Sequence, residues 1–322
     1  MAELAPVPLP VPTHVVGVGA SAGGVEALTQ FASRLPAAFD GAVAIVLHVA
    51  ASGTNALPQI LARNCPLPVV AAEDGMPLLR GHVYVAPPDR HLLVVDAAVR
   101  LTGGPRENGH RPAVDPLFRS LAEAYGPGAA GIVLSGMRDD GTAGLARIKA
   151  AGGRALAQDP REALYPAMPL SAIHHVEVDA VLGIDGLARD VARFTMSEGD
   201  DPVLEDDPPS EVAPPDGPAT RYTCPECGGV LKRRDESGID QYACSVGHVF
   251  SPDSLDHAQA GMVEGALWAG ARLLEDRASF LGEMADRAED GGHERASRTF
   301  RQRAAEALER SRALRALLEG SG

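Results

Sequence analysis

The sequence has little of what would place it in a membrane, in a disulfide-stapled fold or on a nucleic acid. No apolar run reaches the roughly 18 residues that a spanning helix requires, so membrane insertion is not expected. Four cysteines in 322 residues are too few for a disulfide scaffold. Basic charge is in deficit: 29 Lys and Arg against 43 Asp and Glu leave a net charge of −14. A chain with no basic excess is not expected to bind nucleic acid or anionic lipid without sequence preference. The first residues, MAELAPVPLPVPTH, lack a basic start before an apolar stretch and do not read as a signal peptide. The expected location is therefore the cytoplasm.

What is present is 45% hydrophobic and 22% charged, the profile of a globular protein. After an extension over 1–13, residues 14–195 alternate apolar runs with helical stretches. HVVGVG (14–19), GAVAIVLHV (41–49) and GAAGIVLSG (128–136) read as buried strands. Helices are expected over about 24–35, 55–63, 116–125 and from 142. Continuous apolar strands between amphipathic helices predict an α/β fold, a doubly wound and mostly parallel sheet. Residues 66–102, with shorter strands and turns, leave room for an antiparallel excursion.

Residues 196–220 carry eight acidic and no basic groups, are rich in proline and read as a linker. A small cysteine-bearing module follows over 221–250, and 251–322 reads as an α-helical hairpin. Ser251-Pro252 supplies an N-cap and a first-turn proline, and Asp290-Gly291-Gly292 breaks the helical run. Leu267, Leu274 and Leu281 recur every seven residues, and Phe300, Ala304, Ala307, Leu314 and Leu318 share a face. Trp268 is expected in the hairpin core.

The chemistry converges on strand ends. Gly17-Val-Gly-Ala-Ser-Ala-Gly-Gly24 follows a strand and opens a helix. It matches a degenerate dinucleotide loop, and as Gly19-x-Ser21-x-Gly23 it matches a nucleophile elbow. A dinucleotide fold wants a carboxylate at the end of the next strand to hold the ribose; this chain has His48. The run ending at Gly136 leads into Met137-Arg138-Asp139-Asp140-Gly141. In a parallel sheet these carboxyl ends line one crevice, which brings Ser21, His48 and Asp140 together as nucleophile, base and orienting carboxylate. Backbone N–H groups after Ser21, and that of Met137, would face an oxyanion. Each residue also has a structural alternative: Ser21 or Asp140 as a helix cap, His48 as an ordinary strand-end histidine.

GASAGG, LHV, APPDRH (86–91), GHRPAVDPLF (109–118), LSGMRDDGTAG (134–144), QDP (158–160) and AMP (167–169) together resemble the catalytic domain of the chemotaxis receptor methylesterases, CheB, over 14–194. The resemblance implies hydrolysis of glutamate methyl esters on the cytoplasmic helices of chemoreceptors, with deamidation of receptor glutamines in many members. It implies Ser21 as nucleophile, His48 as base and Asp140, in preference to Asp139, as the carboxylate, with Met137 lining the site and no cofactor for catalysis. Two departures stand out. Ala50 replaces a usual proline, and the 13 residues before the first strand leave no room for the receiver domain that commonly gates these enzymes.

Cys224-x2-Cys227 and Cys244-x3-His248 have the spacing of a closed tetrahedral zinc site, a structural cofactor. The leading reading is a receptor methylesterase with a zinc ribbon and helical tail, the tail offering a surface for self-association. An esterase for another carboxyl ester, or a signalling adaptor on a retired α/β scaffold, are the alternatives. A tail covering the crevice would make deletion of 196–322 activating.

Overall fold

The computed structural model describes residues 11–196 and 217–319. Most of the N-terminal extension and of the acidic linker lies outside the described residues. Seven strands form one parallel sheet: β1 (Val15–Ala20), β2 (Ala42–Leu47), β3 (Val69–Ala71), β4 (His82–Val85), β7 (Ala129–Val133), β8 (Arg154–Gln158) and β9 (Ala180–Leu182). Their order is β3-β4-β2-β1-β7-β8-β9, so the winding reverses between β1 and β7, where open α/β sheets place their ligands. The antiparallel excursion is a hairpin, β5 (His91–Val95) with β6 (Ala98–Thr102).

The three apolar runs occupy the centre because both of their faces are covered. Val16, Val18, Val43, Ile45 and Ile132 pack towards α1 (Gly24–Arg34), α2 (Leu57–Ala62) and α6 (Ile184–Phe194). Val15, Val46 and Val133 pack towards α3 (Val114–Tyr125), α4 (Thr142–Ala150) and α5 (Ala167–His175). Each fully buried aliphatic or aromatic side chain contributes about 1.5–3 kcal/mol relative to exposure, so the alternating register is strongly specified. On the α3 side β1 presents Gly17 and Gly19. A Cβ at Gly17 would overlap Leu121 and Phe118, and one at Gly19 would overlap Val114. The two glycines therefore let the first turns of α3 lie directly on the strand.

Residues 219–250 form a four-stranded antiparallel sheet, β10 (Ala219–Thr223), β11 (Val230–Glu236), β12 (Ile239–Cys244) and β13 (Val249–Phe250). Ala219 and Thr220, expected in the linker, belong to β10: Thr220 Oγ1 donates to Leu231 O at 2.8 Å, so pairing with β11 outweighs local composition. This sheet and 11–196 lie in one compact unit ending at Leu255.

The second unit begins at Asp256, within α7 (Pro252–Asp290), and includes α8 (Glu294–Glu319). Ala271, Ala278, Leu281 and Ala285 are buried, as are Ser297, Ala307 and Ser311. With Leu267 and Leu274 these positions alternate spacings of three and four, the seam of an antiparallel coiled-coil hairpin. Ser311 Oγ donates to Ala271 O at 3.0 Å across it. Trp268 is not core: it is 38% exposed, with the Arg315 guanidinium 5.5 Å from its ring centroid. Small residues leave no space in the seam for an indole, which lies at its edge under a cation.

Candidate functional site

Ser21 follows β1 and His48 follows β2. The parallel register pairs Ala20 with Leu47, so Ser21 and His48 leave the sheet side by side, and His48 N donates to Ala20 O at 3.1 Å. Asp140 comes from the loop after β7, the neighbour of β1 on its other side. His48 Nε2 donates to Asp140 Oδ2 at 2.6 Å, with both side chains buried. The imidazole therefore faces the carboxylate through Nε2–H. Its Nδ1 is buried and takes no partner, leaving a bare lone pair. No hydrogen bond joins Ser21 Oγ to His48 among the described residues; such contacts commonly tighten only with substrate in place.

Asp140 is surrounded by donors. Besides His48, Oδ2 accepts Val114 N at 2.7 Å, and Oδ1 accepts Asn108 Nδ2 at 2.9 Å and Asp115 N at 3.3 Å. Two of these are first-turn amides of α3, aimed at the carboxylate by the close fit of α3 on Gly17 and Gly19. Burial opposes the charge. The hydrogen bond and charge of His48, with the Val114 and Asn108 donors, more than offset it and hold Asp140 well below the usual carboxylate range. Asp115, also buried, goes the other way, raised first by burial and then by the charge of Asp140. Its oxygens accept Gly144 N at 2.7 Å and Asn108 Nδ2 at 2.9 Å. Two neighbouring carboxyls are thus driven apart in acidity, and the one facing the histidine keeps its charge.

Asp139 points elsewhere, accepting Ser254 Oγ at 3.0 Å at the start of α7; burial raises its pKa above the usual carboxylate value. Ser251 caps that helix as its sequence suggests, its Oγ accepting Ser254 N at 3.1 Å. Met137 is 56% exposed at the rim. Neither its N–H nor that of Ala22 has an acceptor among the described residues, so both are free to meet an oxyanion. A Cβ at Gly136 would overlap Met168 and crowd Ser21, which explains the glycine there.

His110 was not legible as part of the site. Its ring stacks on His48, centroids 3.7 Å apart and planes 10° from parallel. Arg138 Nη2, which can only donate, lies 3.1 Å from His110 Nε2 and fixes a neutral ring. Burial, and then the charge on His48, lower His110 to about 3. Unfolded, it titrates near 6.5, so between those values the unfolded chain binds more protons and stability falls as pH falls. We expect His110→Gln to flatten the dependence of unfolding free energy on pH between 6 and 4 by up to one proton, about 1.4 kcal/mol per pH unit, in urea titrations. Identical slopes in the two proteins would contradict this. His91 ties the loop before the turn to its own strand, with Nε2 donating to Pro105 O at 2.9 Å.

Cys224, Cys227, Cys244 and His248 converge, their ligand atoms all within 4.8 Å of one another. His248 Nδ1 lies 3.7 Å from Cys224 Sγ and 3.5 Å from Cys244 Sγ, and Cys227 and Cys244 sulfurs are 3.6 Å apart. A tetrahedral zinc with bonds of about 2.3 Å to sulfur and 2.0 Å to nitrogen has edges of about 3.5–3.8 Å, so the donor set fits that ion. Burial pushes the Cys224 thiol up to about 12. Cys244 is lowered, burial being outweighed by the N–H groups of His248, Val246 and Gly247. The amides around Cys244 favour its thiolate and hence a cation.

The CheB methylesterase family model matches residues 16–191. A protein-glutamate methylesterase/protein-glutamine glutaminase of Rhizobium johnstonii is 43% identical over 181 residues, 55% of this chain and 49% of the relative. A namesake from Myxococcus xanthus is 44% identical over 174 residues, 51% of this chain and 49% of the relative. The crystal structure of the Thermotoga maritima CheB methylesterase catalytic domain aligns with a TM-score of 0.54 at 32% identity, covering 56% of this chain and 97% of that one. The chain spans about half the length of the curated relatives it matches.

Proposed function

Because this chain belongs to the CheB methylesterase family, we propose that it hydrolyses methyl esters of glutamate side chains on the cytoplasmic helices of chemoreceptors, with Ser21 as nucleophile. The observation that carries this is the His48–Asp140 hydrogen bond of 2.6 Å, with the other ring nitrogen buried and without a partner among the described residues, and with Ser21 leaving the neighbouring strand. His48 Nδ1 takes the proton as Ser21 Oγ attacks the ester carbonyl. The imidazolium is stabilised by Asp140, whose charge is secured by four donors. The N–H groups of Ala22 and Met137 face the developing oxyanion. His48 then returns the proton to departing methoxide, releasing methanol, and water repeats the cycle on the glutamyl-serine ester.

The names of the relatives carry a second activity on glutamine, and the same steps with ammonia as leaving group would perform it. A hollow of ≈ 140 Å³ lined by Val25, Leu47, Val49, Leu57, Ile60 and Pro88 lies beside His48 and suits an aliphatic side chain of a helical substrate. Within this reading 14–195 is the catalytic domain, 221–250 a zinc module and 251–322 a helical tail. Zinc, when bound by Cys224, Cys227, Cys244 and His248, supplies cross-links and no open position for chemistry. Exposed Leu273, Phe280 and Leu317 support self-association through the tail, which concentration-dependent light scattering would register. Among the described residues no helix is long and apolar enough to cross a membrane, which accords with action on cytoplasmic receptor helices.

The deciding experiment combines methanol release from a methyl-esterified receptor cytoplasmic fragment with fluorophosphonate labelling. Release should be stoichiometric with ester loss and abolished by a label that maps to Ser21. Absence of release, or a label elsewhere, would sink the reading.

A further inference from the structure

Asn108 occupies the second position of an Asn-Gly turn, with φ of 51° followed by Gly109 at 79° and His110 N donating to Glu107 O at 2.8 Å. Its sequence context explains no more than the turn. In the structure it is 1% exposed, and its backbone N–H and both ends of its side-chain amide are hydrogen-bonded. The side-chain amide donates to Asp140 Oδ1 and to Asp115 Oδ2, both at 2.9 Å. The other two bonds go to the ribbon: Asn108 N donates to Val249 O at 2.8 Å, and Ser251 N donates to Asn108 Oδ1 at 2.9 Å. Val249 is the residue after His248, the fourth candidate metal ligand.

Further contacts join the same two bodies. Glu107 bridges to Val249 in parallel fashion, extending the ribbon sheet with the loop before the turn. On α3, Arg119 pairs with Glu107 at 2.5 Å and with Glu236 of β11 at 3.5 Å. Ser254 holds Asp139, the immediate neighbour of Asp140. Four strands with so little core of their own need the cross-link of a metal to stay ordered.

We propose that Asn108 is a positioning residue for Asp140 held in place by the ribbon, so that metal occupancy at Cys224, Cys227, Cys244 and His248 sets the rate of hydrolysis at Ser21. This rests on the reading of Ser21, His48 and Asp140 as the catalytic groups. Loss of metal releases Val249 and Ser251, and the Asn108 amide then no longer fixes the oxygen of Asp140 opposite the one that orients His48. Asn108 touches no substrate; it acts through Asp140.

The test is a cycle between metal and Asn108 in the full-length protein. Zinc content, kcat, KM and the rate of fluorophosphonate labelling of Ser21 are measured for wild type and Asn108→Ala, each zinc-loaded and after chelation. Removing zinc from wild type should lower kcat and labelling together by about 10- to 100-fold, the worth of one hydrogen bond to a charged group, with KM nearly constant and activity restored by zinc. Asn108→Ala with zinc bound should lose a similar factor, and chelation should cost it less than about twofold more. Equal losses on chelation in both proteins would overturn the proposal, as would a zinc-loaded Asn108→Ala protein as fast as wild type. Should either form unfold by circular dichroism, Asn108→Asp decides. It keeps the backbone donor to Val249 O and an acceptor for Ser251 N, loses the amide donor to Asp140 and sets a third carboxyl beside Asp115 and Asp140, so zinc content and circular dichroism are read together with labelling. Slowed labelling at full zinc content is expected, and unchanged labelling would overturn the proposal. Failure of the catalytic reading itself looks different: zinc-loaded wild type would then not label at Ser21.

Discussion

Ser21→Ala protein is expected to hydrolyse a methyl-esterified receptor fragment about 10⁶-fold more slowly than wild type, with KM changed less than about threefold. The expectation is this large because nothing else at the sheet edge can substitute. Ser135, whose carbonyl accepts Ser21 N at 2.9 Å, offers another hydroxyl, but its Oγ donates to Ala22 O at 2.8 Å and accepts Tyr165 N at 3.0 Å. Thr142 and Ser171 bond each other at 2.9 Å. A residual rate carried by water on His48 would keep the oxyanion donors and lose covalent catalysis. Single-turnover methanol release separates the cases. A loss of only tenfold would mean that Ser21 is a helix cap and that the nucleophile is elsewhere. An adaptor on a retired scaffold predicts no methanol from either protein and unchanged receptor binding by both.

Asp140→Asn is expected to lower kcat by about 10⁴-fold and to destabilise the fold by about 1–3 kcal/mol. The arithmetic of donors explains both. Oδ2 accepts His48 Nε2 and Val114 N, while Oδ1 accepts Asn108 Nδ2 and Asp115 N. An amide nitrogen in either position meets two donors and can accept neither. If it faces His48, the ring must present Nε2 as an acceptor, which moves the proton to Nδ1 and removes the base. If it faces Asn108 and Asp115, two buried donors on the other side are orphaned. The depressed acidity of wild-type Asp140 adds a pH signature. Its stabilising share is fully present above about pH 4, where unfolded aspartate is ionised, and fades as pH falls towards the native value. The asparagine variant lacks that share at every pH, so wild-type and variant stabilities should converge under acid. Parallel thermal unfolding curves from pH 7 to 3 would contradict this account.

The sheet was legible because its three central strands are continuous apolar runs, and no other arrangement buries both of their faces. That Ser21, His48 and Asp140 come to one edge of the sheet was legible because a parallel sheet delivers its strand ends there, whatever the intervening sequence. Asn108, Asp115 and His110 were not. Asn108 looks like half of an Asn-Gly turn, Asp115 like a first-turn helix acid and His110 like a loop residue. Each acquires its role from α3 lying close on Gly17 and Gly19, a tertiary contact with no periodic signature. The convergence of Cys224, Cys227, Cys244 and His248 could be read from spacing alone. That the ribbon they staple would belong to the catalytic unit could not, since Arg119–Glu236 and Asn108–Ser251 join residues more than a hundred positions apart. The same contacts change the expected effect of removing 196–322: such a truncation takes away both ribbon partners of Asn108 and should impair the site. Trp268 was misassigned because heptad spacing marks a face without giving the width of the seam.

The hydrogen bond between Asn108 and Ser251 closes a loop of 143 residues. During synthesis the parallel sheet and its helices can assemble once the chain has passed residue 196, with Ser21, His48 and Asp140 already adjacent. Another 55 residues must follow before the last brace of the carboxylate exists, roughly 3–10 s at about 5–20 residues per second. On the proposed reading, a nascent chain carries a folded domain whose Asp140 is held by His48 and α3, and gains its last brace when the ribbon has emerged. On that reading, the order of synthesis along this one chain separates assembly of the site from its bracing.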